Sequence, residues 1–341
     1  MKPTEHILAM RFSALGDVAM TVPVLRLLLH QHSHLHITMV SEPFHAPLFE
    51  GIERLHFLPA STKKEYRGIK GLWKLSRQIK KQTSYSAIAD LHNVLRTVVL
   101  RNFLRPAKIA VINKGRAEKK AVVDATEKNL LPLKTSFQRY ADVFAALGYT
   151  VALKQEGSYA PKKYSRKWMP FDTTGKTLIG IAPFAKHAAK VYPMPKMKEL
   201  VQTLSAEPGN QLVLFGSKAE REELQTLVIA PNVINMAGLF SFKEELQAIS
   251  SLDIMVSMDS ANMHLASMYG VPVVSIWGGT HPYLGFYGWG QDMDWAVQTD
   301  LPCRPSSVFG NKPCPVHGAA GCMQEITTSQ IIDKVKKALS K

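Results

Sequence analysis

Short apolar runs alternate with segments of helical period along almost the whole chain. His6–Phe12 predicts a buried strand, and the small-residue turn Ser13-Ala14-Leu15-Gly16 leads into a helix from about Asp17 to His30. Further strands are predicted near Leu35–Ser41, Arg54–Leu58, Ser86–Leu91 and Lys108–Asn113, with helices near Ile69–Lys81, Val94–Leu104 and Phe137–Leu147. Residues 154–176 break this rhythm with two Pro, two Gly and a cluster of Lys and Arg, and read as a linker. The alternation then restarts with strands Thr177–Ala182, Gln211–Phe215, Val233–Met236, Asp253–Ser257 and Pro272–Trp277. Between and after them come helices Lys196–Ser205, Ala219–Val228, Lys243–Ser250 and Ala261–Tyr269, then a loop-rich stretch over 278–324 and a last amphipathic helix near Ser329–Leu339. Strands separated by helices build parallel sheets covered on both faces. The expected class is therefore α/β, with two Rossmann-like, doubly wound domains over residues 1–168 and 169–341. A cleft between the carboxyl edges of the two sheets is the expected ligand site.

Composition narrows the class. The chain of 341 residues is 46% hydrophobic and 20% charged, which excludes disordered and fibrous chains. It contains no run of 18 apolar residues, its N-terminal apolar stretch is too short for a signal peptide, and 3 Cys make no disulfide framework. A cytoplasmic protein is expected. The net charge of +15 is unevenly placed: residues 1–170 hold 28 Lys+Arg and 12 Asp+Glu, against 14 and 15 in residues 171–341. An asymmetry of that kind implies that the first half meets something anionic. Lys63, Lys64, Arg67, Lys70, Lys74, Arg77, Lys80 and Lys81 face only Glu65, and Arg96, Arg101, Arg105, Arg116, Lys119 and Lys120 extend the basic run. Aromatics among them are few (Tyr66, Trp73) and no nucleic-acid fold motif is present, so nucleic acid is not the expected partner.

Three strand-to-helix junctions carry candidate chemistry. At Arg11-Phe12-Ser13-Ala14-Leu15-Gly16-Asp17, a small-residue turn could offer backbone N–H groups to an anion, and Asp17 is either a first-turn cap or a carboxylate facing the cleft. Lys186 and Lys190, after the first strand of the second half, suit a leaving diphosphate or are solvated lysines. In Ser257-Met258-Asp259-Ser260-Ala261-Asn262-Met263-His264, Asp259 and Ser260 are placed to cap a helix whose N-terminus attracts anions, and Gly278-Gly279-Thr280-His281-Pro282 supplies a second wall. Other patterns are weaker. His30, His32, His34 and His36 span a helix end, a loop and a strand start, so a shared metal is not expected, and Asp292-Met293-Asp294 reads as surface acids. Cys303, Cys314 and Cys322 are spaced by 11 and 8, unlike a CxxC zinc pattern, so no metal site is expected.

Taken together, these junctions resemble glycosyltransferase family nine, the ADP-heptose–lipopolysaccharide heptosyltransferases. The family's opening pattern R-x-S-x-x-G-D-x-x-x-T-x-P is matched by Arg11, Ser13, Gly16, Asp17, Thr21 and Pro23, and its K-x-W-P by Lys190 to Pro193 with Tyr192 for Trp. Its late pattern D-[ST]-G-x-x-H-[LI]-A-x-x-x-G-x-P is matched by Asp259, Ser260, His264, Leu265, Ala266, Gly270 and Pro272, with Ala261 for Gly. Gly278, Thr280 and Pro282 complete the set. The resemblance implies a GT-B architecture, in which the last helix packs back onto the first domain, and an inverting sugar transfer that needs neither metal nor cofactor. It further implies an anionic glycolipid acceptor on the N-terminal domain, a nucleotide-sugar donor, ADP-heptose, on the C-terminal domain, and peripheral contact with the inner membrane. Asp17 would be the general base and Lys190 the counter-charge to the departing diphosphate. Ser13, Gly16, Lys186, Glu220, Asp259, Ser260, Ala261, His264 and Thr280 would bind donor. Glu220 is read equally as a ribose-binding acid or a first-turn helix acid. Lys63, Lys64, Arg67, Lys70, Arg116, Lys119 and Lys120 would meet the acceptor. The rival readings are a nucleotide-sugar epimerase, which needs only a donor, and a basic module that binds acidic membrane or nucleic acid.

Overall fold

The structure, a computed structural model, describes residues 5–82, 84–106, 108–125, 130–153, 163–318 and 321–340. The chain divides into two compact units, one of Met1–Lys114 with Ser136–Tyr159, the other of Gly115–Thr135 with Ala160–Lys341. Each is built on one parallel sheet.

The first unit contains β1 (Glu5–Met10), α1 (Leu15–Ala19), α2 (Thr21–Gln31), β2 (Leu35–Ser41), β3 (Leu55–Pro59), α3 (Gly68–Gln82), β4 (Ala87–Asp90), α4 (Leu95–Leu104) and β5 (Lys108–Val111). After α5 (Arg116–Asp124), which lies in the second unit, α6 (Ser136–Ala146) returns to the first. The strand order is β3-β2-β1-β4-β5. β1 and β4 are near-continuous apolar runs because helices cover both faces of such a sheet, and Leu8, Met10, Ile88, Leu75, Ile79 and Leu100 share one core. On α3 the buried residues Leu72, Leu75, Ser76 and Ile79 recur at helical spacing, which leaves the basic residues on the outer side.

The second unit contains β6 (Thr177–Ala182), α7 (Met194–Ser205), β7 (Asn210–Leu214), α8 (Arg221–Gln225), β8 (Val233–Asn235), α9 (Phe242–Ser250), β9 (Ile254–Met258), α10 (Ala261–Met268), β10 (Val273–Ile276), β11 (Ala296–Val297) and α11 (Thr328–Leu339), in the order β11-β10-β9-β6-β7-β8. Ile181, Val256, Ile276, Leu200 and Ile331 belong to a single core. In both sheets the order reverses beside the first strand, between β1 and β4 and between β6 and β9. Loops diverge at such a point and leave a crevice at the carboxyl ends of the two strands. Among the described residues, no helix is long and apolar enough to cross a membrane.

Three expectations need correction. The last helix, α11, expected on the first domain, buries Ile331, Val335 and Ala338 in the core of the second unit. The segment around α5 joins the second unit, where Leu133 N donates to Tyr283 O at 2.8 Å. Of the expected linker, residues 154–162 lie outside the described residues. The rest is held to the second unit by Arg166, whose Nε donates to Ser251 O at 2.9 Å and whose Nη2 pairs with Asp253 Oδ1 at 2.6 Å.

Candidate active site

At the reversal point of the first sheet, β1 is followed by Arg11-Phe12-Ser13 and β4 by Leu91-His92-Asn93. The Arg11 side chain is buried, donates through Nη1 to Leu91 O at 2.6 Å, and pairs through Nη2 with Asp17 Oδ2 at 2.7 Å. Asp17 Oδ2 also accepts from Ala14 N at 3.2 Å, so that turn N–H closes on Asp17 and is not offered to an anion as expected. With both interactions on Oδ2, and the side chain 35% exposed, Asp17 is a cap that still has an accessible carboxylate. Tyr140 lies under Arg11, 5.6 Å from guanidinium to ring centroid, and its hydroxyl donates to Asp17 O at 3.2 Å.

His92 completes this corner, and sequence reading passed over it. Phe12 N donates to His92 Nδ1 at 3.3 Å, so the neutral ring carries its proton on Nε2 and directs it at Ser13 Oγ, 3.4 Å away. Burial, then the cations Arg11, Lys114 and Arg96, push its pKa down to about 3. Its only sequence signal was its place just beyond the strand, where ligand-facing residues of such sheets lie. Arg96 donates to Thr62 Oγ1 at 2.6 Å and leans on the Phe12 ring, bringing the start of the basic run towards the same edge.

The second sheet reverses between β6 and β9, and there Lys190 and Asp259 meet. Lys190 Nζ lies 2.7 Å from Asp259 Oδ2, with side-chain exposures of 15% and 5%. Thr280 Oγ1, fully buried, donates to the same carboxylate oxygen at 2.8 Å. Two donors 90 positions apart in sequence, Lys190 and Thr280, thus share one oxygen of Asp259. Ser260 precedes α10 in an extended conformation, but its hydroxyl bonds Ser257 Oγ at 3.2 Å, so no side-chain cap closes the N-terminus of α10. Ala261 and buried His264 follow on that helix.

The glycine wall is set by close approach. A Cβ at Gly278 would stand 2.6 Å from Met323 Cγ and 2.9 Å from Ala189 O, and one at Gly310 (φ +74°) would strike Lys190 Cγ at 2.6 Å. Arg304, another residue that sequence reading missed, is buried beneath this wall and donates to the carbonyls of Gly278 (2.6 Å), Trp277 (3.1 Å) and Thr280 (3.0 Å). His281 accepts from Tyr283 N at 3.1 Å, and burial with nearby Arg304 lowers its pKa to about 4.

Other expected residues sit apart from this cluster. Glu220 Oε2 accepts from Ser217 N at 2.6 Å in a capping box, the helix-acid alternative, and Lys186 is exposed. Lys63, Lys64, Arg67 and Lys70 are exposed at the start of α3 and just before it. Lys119 is not the surface cation expected: it is buried in the second unit, with Nζ 3.9 Å from the Phe286 ring centroid. Arg116 and Lys120 share its helix, and Lys120 pairs with Asp124.

Neutral His92 and His281 give stability a pH dependence. Both take up a proton more readily in the unfolded chain, near pH 6.5, than in the fold. Stability present above about pH 6.5 is therefore lost as pH falls towards about 4. The melting temperature should drop by about 5 °C or more between pH 7.5 and 4.5, and the His92→Gln, His281→Gln double variant should flatten that slope. Parallel slopes for variant and parent would rule these two rings out as its source.

The family model for glycosyltransferase family 9 (heptosyltransferase) matches residues 72–311. The lipopolysaccharide core heptosyltransferase OpsX of Haemophilus influenzae is 23% identical over 295 residues, covering 82% of this chain and 80% of its own. Among solved structures, a family 9 glycosyl transferase of Veillonella parvula superposes with a TM-score of 0.78 at 18% identity, covering 100% of this chain and 98% of that one. The ADP-heptose LPS heptosyltransferase II of E. coli gives a TM-score of 0.68 at 17% identity, covering 98% of both chains. With two Rossmann-like units of GT-B type and a family match across most of its length, this chain belongs to glycosyltransferase family 9 and is a glycosyltransferase.

Proposed function

We propose that the protein transfers a heptose from ADP-heptose to an anionic lipopolysaccharide-core acceptor, with inversion at the anomeric carbon and no metal in the reaction. The relatives' names support the sugar, nucleotide and acceptor class. The observation that carries the reading is the Lys190–Asp259–Thr280 cluster beside the uncapped start of α10, at the reversal point of the second sheet. A cation, a hydroxyl and a helix N-terminus together suit a diphosphate.

In the reaction, Asp17 takes the proton of the acceptor hydroxyl while that oxygen bonds to the anomeric carbon, and the sugar's bond to the diphosphate breaks. Lys190 offsets the charge gathering on the departing ADP. Ser260, Ala261 and Thr280 contact its phosphates, while Asp259 and His264 orient that wall. Ser13, Gly16 and Lys186 complete the donor set. Apart from Ser13 and Gly16, the donor residues lie in 169–341 and the acceptor residues in 1–168, the division of labour expected between them. Lys63, Lys64, Arg67 and Lys70 receive the acceptor's phosphates, with Arg116 and Lys120 contributing from α5.

Ile69 and Trp73, 68% and 54% exposed, stand among the cations of α3. Apolar and basic groups on one exposed helix suit an anionic bilayer surface, which supports peripheral contact with the inner face of the inner membrane.

The test is ADP release by the purified chain, which should require ADP-heptose and a heptose-acceptor core glycolipid together. ADP release indifferent to acceptor, or epimerisation of the donor alone, overturns the reading. In the same assay, Glu at Lys63, Lys64, Lys70 and Lys74 should raise the acceptor KM about tenfold and leave donor affinity unchanged. A fall in donor affinity instead would contradict the assignment of these cations to the acceptor.

A further inference from the structure

Cys303, Cys314, His317 and Cys322 converge in the second unit, with one candidate ligand atom from each and all four atoms within 4.8 Å of one another. The intervals between the cysteines alone point away from a metal; His317, three residues after Cys314, completes a set that those intervals do not show. Cys303 Sγ lies 3.5 Å from Cys322 Sγ and 3.5 Å from His317 Nδ1, and the sulfurs of Cys314 and Cys322 lie 3.6 and 3.9 Å from that nitrogen. Tetrahedral zinc, with bonds of about 2.3 Å to sulfur and 2.0 Å to nitrogen, has sulfur–sulfur edges of about 3.8 Å and sulfur–nitrogen edges of about 3.5 Å. The Cys303–Cys322 separation and the three sulfur–nitrogen separations stand close to those edges, and every other pair lies within 4.8 Å.

We propose that these four side chains form a structural Cys3His zinc site. Four protein ligands leave no position for water, which separates a structural site from a catalytic one. The local backbone suits the role: Cys314 N donates to Gly318 O at 3.1 Å and Gly318 N to Cys314 O at 2.9 Å, a tight turn that holds Cys314 and His317 together. Cys314 and Cys322 are buried and Cys303 is partly so. None of the three cysteines is in a disulfide.

The site would fasten a stretch poor in regular structure to the glycine wall. Arg304, next to Cys303, bonds the carbonyls of Gly278 and Thr280, and Met323, next to Cys322, packs where Gly278 has no side chain. Zinc would thus close the segment between them as a short clip, whatever reaction the wall serves.

The experiment is metal analysis of the full chain, purified under reductant after growth with added zinc and dialysed without chelator. About one zinc per chain is expected, and cobalt(II) in its place should give thiolate charge-transfer bands and the intense visible bands of a tetrahedral site. Cys314→Ser and His317→Ala should each lose most of the metal. Since either variant could fail to fold, the parent chain is also probed directly. Zinc should slow alkylation of its cysteines at least about tenfold, and chelation should abolish that protection and lower the melting temperature. A chain without stoichiometric metal whose thiols react at one rate with or without zinc overturns the proposal. So does iron held in zinc's stead, or a Cys303–Cys322 disulfide in the native protein.

Discussion

Asn in place of Asp17 should lower turnover at least about a hundredfold with donor affinity largely kept, because general bases typically contribute about 10²–10⁴ in rate. The exchange isolates proton transfer from capping. An Asn side-chain oxygen can still accept from Ala14 N, so the cap survives, whereas the amide can neither take a proton nor neutralise Arg11. Arg11 keeps its bond to Leu91 O but loses its counter-charge in a nearly closed environment, which costs on the order of 1–3 kcal/mol. Some loss of melting temperature should therefore accompany the loss of rate. Turnover is to be referred to the fraction of chain that binds donor, so that instability is not mistaken for lost chemistry. Unchanged turnover would leave Asp17 as a cap and nothing more.

The fold was legible where strands are buried on both faces. Leu35–Ser41 and Thr177–Ala182 match their predicted bounds, because a parallel strand under two helix layers is largely apolar and ends where polar turns begin. The helix expected from Asp17 to His30 is instead two, α1 and α2, which meet at Met20. There Thr21 Oγ1 turns back to Val18 O at 2.7 Å, and Pro23 sits in the first turn of α2, where its missing N–H costs nothing. α5 was invisible for a plainer reason. Its one buried side chain is Lys119, so it has no apolar stripe, and its place comes from long-range contacts such as Lys119 with Phe286.

The candidate site was legible to the extent that its residues sit at strand ends. Lys190, Asp259 and Thr280 could be picked from their positions after β6, β9 and β10, but their common oxygen is a tertiary fact. His92 and Arg304 escaped because each works through backbone groups of distant segments: His92 through Phe12 N, Arg304 through three carbonyls of the glycine wall. No local pattern encodes such partners. His317 escaped because the cysteine intervals of 11 and 8 show no metal pattern without it, although Cys314-x-x-His317 has a short spacing that suits a metal turn.

Removing Lys190 should separate stability from phosphate binding once its partner is changed as well. Lys190→Ala alone leaves Asp259, 5% exposed, with Thr280 and without its cation; breaking a buried pair in this way costs about 3–5 kcal/mol. Weak nucleotide binding by that variant could then reflect a disturbed wall. In Lys190→Ala, Asp259→Asn no uncompensated charge remains and Thr280 can still donate to the amide oxygen, so the melting temperature should recover most of its loss. ADP affinity should not recover, staying about 10–100-fold below the parent, the worth of a charge-assisted hydrogen bond of about 1.5–3 kcal/mol. Turnover should fall further than affinity, since negative charge on the diphosphate grows as the sugar departs and a cation acts most strongly at that moment. Calorimetric titration with ADP and thermal unfolding of the three chains decide the matter. A double variant that regains parental affinity together with stability would make Lys190 a partner for Asp259 only, and the leaving group would need another cation.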